Sequence, residues 1–245
     1  MKIKLFILIG IFFFNGCSKS PIEMFELAEQ KLKNEQPDLA LLDLEKLLDR
    51  YPNDSLAASA LYKMSTIHLH WNNNLSSGYN VLMELVKRFP NSKQGIQAKI
   101  DIDEFPESVI NKTQSLRKKE MVKEAINNLM YLLDNHSEHN LMPKAQYMLG
   151  DIYMNDLRDF NTAIQEYRKV IEKYSGSEQE PHALFMIGYV YANVLNDTKS
   201  AKIEYEDFLK RFPNHELSPS VKFEIDYLGK SIDDIPALKY INHIY

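Results

Sequence analysis

An all-α solenoid of helix pairs is the fold class this sequence predicts. Three observations predict it: a recurring interval of 38 residues, a scarcity of glycine, and apolar positions at helical spacing between the recurring marks. The interval is the strongest of the three. An aromatic that ends a helix stands at Tyr51, Phe89, Tyr174 and Phe212, with His136 once in its place, so the successive spacings are 38, 47, 38 and 38. Eleven residues before each mark is a small residue, at Ala40, Gly78, Ala125, Ala163 and Ala201, and a third series, Ala60, Ala98, Ala145, Ala183 and Val221, has the same spacings. Self-similarity with a period of roughly 20 to 50 residues is what stacked supersecondary units produce. Only 8 of the 245 residues are glycine, with 44% hydrophobic and 26% charged, which disfavours both tight-turned β architectures and disordered chains.

Periodicity places the first helix of each pair at about 22–35, 55–71, 94–104, 141–155 and 179–195, and its partner at about 38–51, 75–89, 120–135, 159–174 and 198–212. Pro143, Pro181 and Pro219 recur at first-helix starts, where a missing N–H breaks no intrahelical bond. Pro52, Pro90 and Pro213 follow Tyr51, Phe89 and Phe212 and stop the second helices. Tyr62, Tyr147, Phe185 and Phe223 share a first-helix position, and Gly150 with Tyr153 recurs as Gly188 with Tyr191. A capping helix at about 219–230 has no partner, and the tail 231–245 carries an apolar pattern interrupted by Pro236. The count is five repeats and a C-terminal capping helix.

The amino terminus is an address rather than part of the fold. Lys2 and Lys4 precede the apolar run Leu5 to Phe14, which closes on Asn15-Gly16-Cys17. A bilayer span needs about 20 apolar residues, so this run has the proportions of a secretory signal. It resembles a bacterial lipoprotein signal, in which a small residue, here Gly16, precedes the cysteine that is lipidated. Phe14 and Asn15 depart from the usual pattern of Leu and a small residue. The resemblance implies a signal peptide at 1–16, a covalent lipid on Cys17, a lipid-anchored linker at 17–21 and, with Ser18 and Lys19 next, the periplasmic face of the outer membrane. An ordinary cleaved signal with an unmodified Cys17, or an uncleaved anchor, is the alternative. The net charge of -5, from 29 Lys+Arg against 34 Asp+Glu, becomes 27 - 34 = -7 once Lys2 and Lys4 are removed. Such a balance leaves no electrostatic footprint for nucleic acid, and a lone cysteine excludes internal disulfides and Cys-based zinc sites.

The repeat resembles the tetratricopeptide repeat (TPR), a helix-turn-helix unit in which small residues admit close helix packing and aromatics fill the space between units. The run from Tyr51 to Met64, opening Tyr-Pro-Asn-x-Ser, is similar to repeats of periplasmic TPR lipoproteins, and over nearly the whole mature chain the likeness is to the BamD family. That resemblance implies a TPR-like solenoid in an outer-membrane lipoprotein that assists insertion of β-barrel proteins. Envelope scaffolds of the CpoB (YbgF) type carry similar repeats, usually behind a coiled-coil segment that this chain lacks.

The 47-residue interval is the one departure from the period. Comparison of the series puts the excess between Ala98 and Ala125, and Pro106 is expected to break a helix near residue 105. The expected organisation is 22–105 for repeats one and two with the first helix of repeat three, an insertion at 106–119, and 120–230 for the remainder and the cap. The insertion reads either as a partner-contacting protrusion or as a hinge. Arg117, Lys118 and Lys119 form its basic cluster and are expected to be a solvated face.

Few residues offer chemistry. Of His68-x-His70 and His136-x-x-His139, the first has the wrong spacing for one helix face, and His68 and His136 fall on packing positions, so no metal site is expected. There is no glycine-rich phosphate loop or nucleophile elbow, and the cysteine is assigned to lipid. No catalysis, cofactor or small-molecule substrate is expected. In a helix-pair solenoid the first helices line an inner groove. The candidate peptide-binding residues are Lys144, Tyr147, Asp151 and Asn155 in repeat four, His182, Phe185, Tyr189 and Asn193 in repeat five, and His70 in repeat two. The Asn155 and Asn193 amides can donate to and accept from an extended peptide, or they soften the ends of first helices. The expected partners are proteins or extended peptides, with a β-barrel assembly complex the leading case.

Overall fold

The chain enters its first helix through a capping box. The Ser20 hydroxyl accepts from the Glu23 N–H at 3.3 Å while Glu23 Oε2 accepts from the Ser20 N–H at 2.7 Å, which satisfies two amide donors that a helix start leaves open. From there the structure, a computed structural model describing residues 19–230, forms twelve α-helices and, among those residues, no strand. The packing divides it into two units between Asp103 and Glu104. In the first unit α1 (Pro21–Lys33) pairs with α2 (Pro37–Arg50) and α3 (Ala57–Thr66) with α4 (Leu75–Arg88), and α5 (Lys93–Asp103) closes it. In the second, α6 (Phe105–Lys118) pairs with α7 (Val122–Asn135), α8 (Met142–Asp151) with α9 (Phe160–Lys173) and α10 (Gln179–Asn193) with α11 (Thr198–Arg211), and α12 (Ser218–Tyr227) closes it. The fold class is an all-α, TPR-like solenoid of helix pairs.

The three periodic series take the places their spacing implies. Tyr51, Phe89, His136, Tyr174 and Phe212 are the C-cap residues of α2, α4, α7, α9 and α11. Ala40, Ala125, Ala163 and Ala201, like Ala60, Ala98, Ala145, Ala183 and Val221, are completely buried. Close approach is the reason. A Cβ at Gly150 would stand 2.6 Å from the Tyr167 ring, and one at Gly188 2.5 Å from the Tyr205 ring. Both tyrosines are 0% exposed, and burial of such a ring contributes roughly 1.5–3 kcal/mol.

Within each pair the turn uses a left-handed residue. Glu35, Asn73, Glu120, Arg158 and Asn196 have φ of 58°, 47°, 61°, 53° and 55°, and their spacings repeat the 38, 47, 38, 38 series. A left-handed residue after the helix lets the last carbonyls find donors. The turns are of two kinds. After α3, α8 and α10 the N–H of the next helix's cap residue donates six positions back, from Asn74, Asp159 and Asp197 to the carbonyls of His68, Tyr153 and Tyr191, each at 2.8 Å, whereas after α1 and α6 Gln36 and Met121 donate five positions back, to Lys31 and Leu116. The ends of α3 and α8 widen into π-turns at Ile67–Trp71 and Ile152–Asp156. Asn74, Asp159 and Asp197 then cap the following helix by accepting from Ser77, Thr162 and Ser200 N–H. After α1 and α6 the turn is tighter, and Gln36 and Met121 hold the cap position without a side-chain bond.

This second kind explains the long interval. The sequence sets 106–119 apart as an insertion inside repeat three; in the structure that segment is α6 itself, packed on α7 as the first helix of its pair. The helix near 94–104, assigned by spacing to the same pair, is α5 and packs on α3 and α4. Five correspondences separated by 85 residues relate α6 to α1: Pro106 to Pro21, Val109 to Met24, Thr113 to Ala28, Glu120 to Glu35 and Met121 to Gln36. Met24, Ala28, Val109 and Thr113 are buried. Each unit therefore begins with the same kind of helix, and Pro106 stands in the first turn of a new one rather than kinking an old one.

Candidate functional site

The first helices of the second unit carry a row of partly exposed aromatic rings. Residues three and four apart share a helix face, so Tyr147 and Asp151 align on α8, and His182, Phe185 and Tyr189 on α10. The Tyr147 ring lies 5.3 Å from Tyr167 and meets His182 edge-on at 6.4 Å. Phe185 lies 6.3 Å from Tyr189 and 6.1 Å from Tyr205. On α12 the same position is Phe223, 44% exposed and 4.7 Å from Tyr227. The ring positions recur at 38 residues, so helix stacking and not local sequence sets their separation.

Asp151 sits among these rings and is half-buried. It accepts from the Tyr167 hydroxyl at 2.7 Å. Burial holds its carboxyl above the ordinary range, against the Tyr167 bond and the Arg117 charge, which both pull it down, with Asp156 adding to the rise. Burial, and after it the Asp151 charge, raises the hydroxyls of Tyr147 and Tyr167 far enough to keep them neutral donors. Arg117 is the basic residue that reaches this region. Its Nε donates to Asp156 Oδ2 at 2.7 Å and the side chain is 23% exposed. It therefore does not belong to the solvated face expected of 117–119.

The remaining candidates are more local. The Asn155 amide donates to the Asp151 carbonyl at 3.1 Å and the Asn193 amide to the Tyr189 carbonyl at 3.4 Å, so each spends one donor on its own helix end. Lys144 is exposed on α8 and His70 is exposed in the first unit. Cys17, the signal segment 1–16 and the tail 231–245 lie outside the described residues.

Loop histidines have a role that spacing alone did not reveal. Asp54, Ser92, His139, Ser177 and His215 occupy one position, three residues after the aromatic C-cap. Asp54 Oδ1, His139 Nδ1 and His215 Nδ1 accept from the N–H of Leu56, Leu141 and Leu217, and Ser92 Oγ accepts from Gly95 N–H. The common polar acceptor was the available signal. His136 packs between Phe105 and Tyr131 at 5.4 and 5.9 Å, and burial lowers both it and His68 from the usual histidine value. A second polar site was not foreseen either: Gln146, Glu166 and Lys169 line a cleft of about 180 Å³, where Gln146 Nε2 donates to Glu166 at 2.6 Å and Lys169 Nζ at 2.8 and 2.9 Å.

Two segments of the second unit, 144–177 and 182–215, match the family model of the tetratricopeptide repeat. They begin 182 - 144 = 38 residues apart and span the pairs α8–α9 and α10–α11. The chain is similar to several solved structures. MamA from Desulfovibrio magneticus RS-1, from residue 41 to its end, is 16% identical with 81% of this chain and 98% of that chain covered, at a TM-score of 0.36. YrrB, described as a TPR protein with an unusual peptide-binding site, is 17% identical with 83% and 92% covered, at 0.38. A tetratricopeptide repeat protein from Parabacteroides merdae is 14% identical with 86% and 73% covered, at 0.37. No curated protein matches the chain. Among the described residues no helix is long and apolar enough to cross a membrane.

Proposed function

We propose that the chain is a non-catalytic, protein-binding scaffold that takes extended peptides or partner segments on the first-helix face of its second unit. The observation that carries this is the aromatic row Tyr147, Phe185 and Phe223, which recur at the repeat interval, with Tyr189 beside Phe185, all with rings only partly covered. Rings on a rigid helix face supply contact area at little entropic cost, and the Tyr147 hydroxyl adds a directed hydrogen bond. Lipidation of Cys17 would tether the chain to a membrane, with two or more acyl chains needed for stable anchoring.

The outer membrane is the proposed location, and β-barrel protein assembly is the proposed task, both supported by the lipoprotein-like amino terminus and the resemblance to the BamD family. Depletion of the protein should lower the content of outer-membrane barrels, and the chain should copurify with a barrel protein of the assembly machinery; normal barrel content after depletion would refute the assembly task. A Cys17→Ala chain should leave the membrane fraction, and its retention there would overturn the lipid tether.

A further inference from the structure

The repeat brings together residues that are far apart in sequence at the carboxyl end of the second unit. His182 lies in the first turns of α10, while His215 and Glu216 lie in the loop between α11 and α12. One ligand atom from each of the three falls within 4.8 Å of the others, and His182 Nε2 stands 3.9 Å from Glu216 Oε1. The rings of His182 and His215 meet edge-on at 5.4 Å.

The surroundings of His182 prepare it as a ligand. Its Nδ1 is 3.0 Å from the Glu178 carbonyl oxygen. That oxygen can only accept, so Nδ1 carries the proton and the Nε2 lone pair points toward Glu216. A backbone carbonyl on one ring nitrogen is the usual device that fixes the tautomer of a metal-binding histidine. His215 is held by apolar edges, with Phe208 at 5.8 Å and Phe212 at 6.4 Å. Coordination by its Nε2 leaves its one proton on Nδ1, so the 3.2 Å bond from Leu217 N–H to Nδ1 is given up when the ion binds.

We infer that His182, His215 and Glu216 form a binding site for a divalent transition-metal ion of the zinc class. Two imidazoles and one carboxylate suit zinc, nickel or copper better than calcium or magnesium, which favour oxygen-rich sets. Three ligands leave a coordination position open to water or to a partner's side chain. One pair earlier the corresponding positions are Lys144, Ser177 and Glu178, so the same repeat geometry holds only one ligand type there and the full set belongs to the last pair. Ion binding would tie the loop that leads into α12 to the start of α10, and ligands that bind only the folded chain raise its stability.

The test is a calorimetric titration of the full chain with ZnCl₂, joined to its thermal midpoint with and without the ion. One equivalent of Zn²⁺ should bind saturably and raise the midpoint. His182→Gln and His215→Asn should each weaken binding by at least about tenfold and abolish the rise. Asparagine at 215 keeps an acceptor for Leu217 N–H, as Asp54 does for Leu56, so this variant retains the loop cap. His139→Asn, which removes the equivalent imidazole elsewhere, should bind as the parent does. Absence of a stoichiometric binding event, or binding unchanged in both His182→Gln and His215→Asn, overturns the inference. Loss of zinc binding in His139→Asn alone overturns it as well.

Discussion

The ion pair between Glu180 and Arg211 predicts an asymmetry that can be measured. Glu180 on α10 is 2% exposed and Arg211 on α11 is 30% exposed. The carboxylate also accepts from Gly176 N–H at 2.6 Å and from Ser175 Oγ at 3.3 Å, whereas Arg211 has water and Asp207 at 3.5 Å as alternatives. Arg211→Ala strands a buried carboxylate, which typically costs 3–5 kcal/mol; the two remaining donors place the expected loss at about 3 kcal/mol. The guanidinium also lies 5.2 Å from the Phe212 ring, a contact worth about 0.5–1 kcal/mol at an exposed site. Glu180→Gln keeps the shape and leaves only a solvated arginine, so about 1–2 kcal/mol is expected. In the double variant no buried charge is stranded, and the loss should fall at least 1 kcal/mol below the sum of the single losses, within the range of coupling for contacting residues. Urea unfolding followed by circular dichroism measures all four proteins. A larger loss for Glu180→Gln than for Arg211→Ala, or strict additivity, would refute the reasoning.

Three other outcomes follow from the same geometry. A Cβ at Gly95 would stand 2.0 Å from the Phe89 carbonyl oxygen, a backbone atom that cannot yield as a side chain can. Gly95→Ala should therefore lose about 1–3 kcal/mol to overpacking, against a helix-propensity gain of about 1 kcal/mol, and faster amide exchange in α4 and α5 is the readout. Met121 holds the cap position that Asn74, Asp159 and Asp197 fill with bonding side chains, so Met121→Asn should stabilise the second unit by about 0.5–1 kcal/mol in urea unfolding. Burial lowers the folded-state value of His136 below its unfolded one, so the unfolded chain takes up protons first as pH falls. Its contribution is intact above about pH 6.5 and is lost as pH drops through that value toward the folded one. His136→Phe, which restores the aromatic of Phe89 and Phe212, should lose less stability between pH 7 and pH 5 than the parent, and an unchanged slope counts against the burial argument.

Much of this fold was legible because packing repeats itself. A second helix can approach a first one only across a small residue, so Ala40, Ala125, Ala163 and Ala201 announce the period, and the aromatics at Tyr51, Phe89, Tyr174 and Phe212 mark where each second helix stops. The turn within each pair was not legible. Its left-handed position is filled by Glu35, Asn73, Glu120, Arg158 and Asn196, which share a backbone conformation but not a chemistry. The start of α6 was hidden for a related reason, since the place that Ala60, Ala145 and Ala183 hold in other first helices falls there on Glu107, and only comparison with α1 exposes the match. Of the candidate site, the aromatic row followed from the period. The Asp151–Tyr167 bond and the Arg117–Asp156 pair did not, because each joins different helices. The convergence of His182 with His215 also depends on stacking, which brings residue 182 to the loop 33 positions later.

The central claim is that the first-helix face of the second unit binds protein. A photoreactive amino acid placed in the intact chain in cells, at Tyr189 or Phe223 on that face and at Ile203, an exposed position of α11, tests it directly. The account predicts discrete protein adducts from positions 189 and 223, and their loss when Phe185 is also changed to alanine. Adducts formed equally from position 203, or none from 189 and 223 while 203 captures a partner, would contradict it.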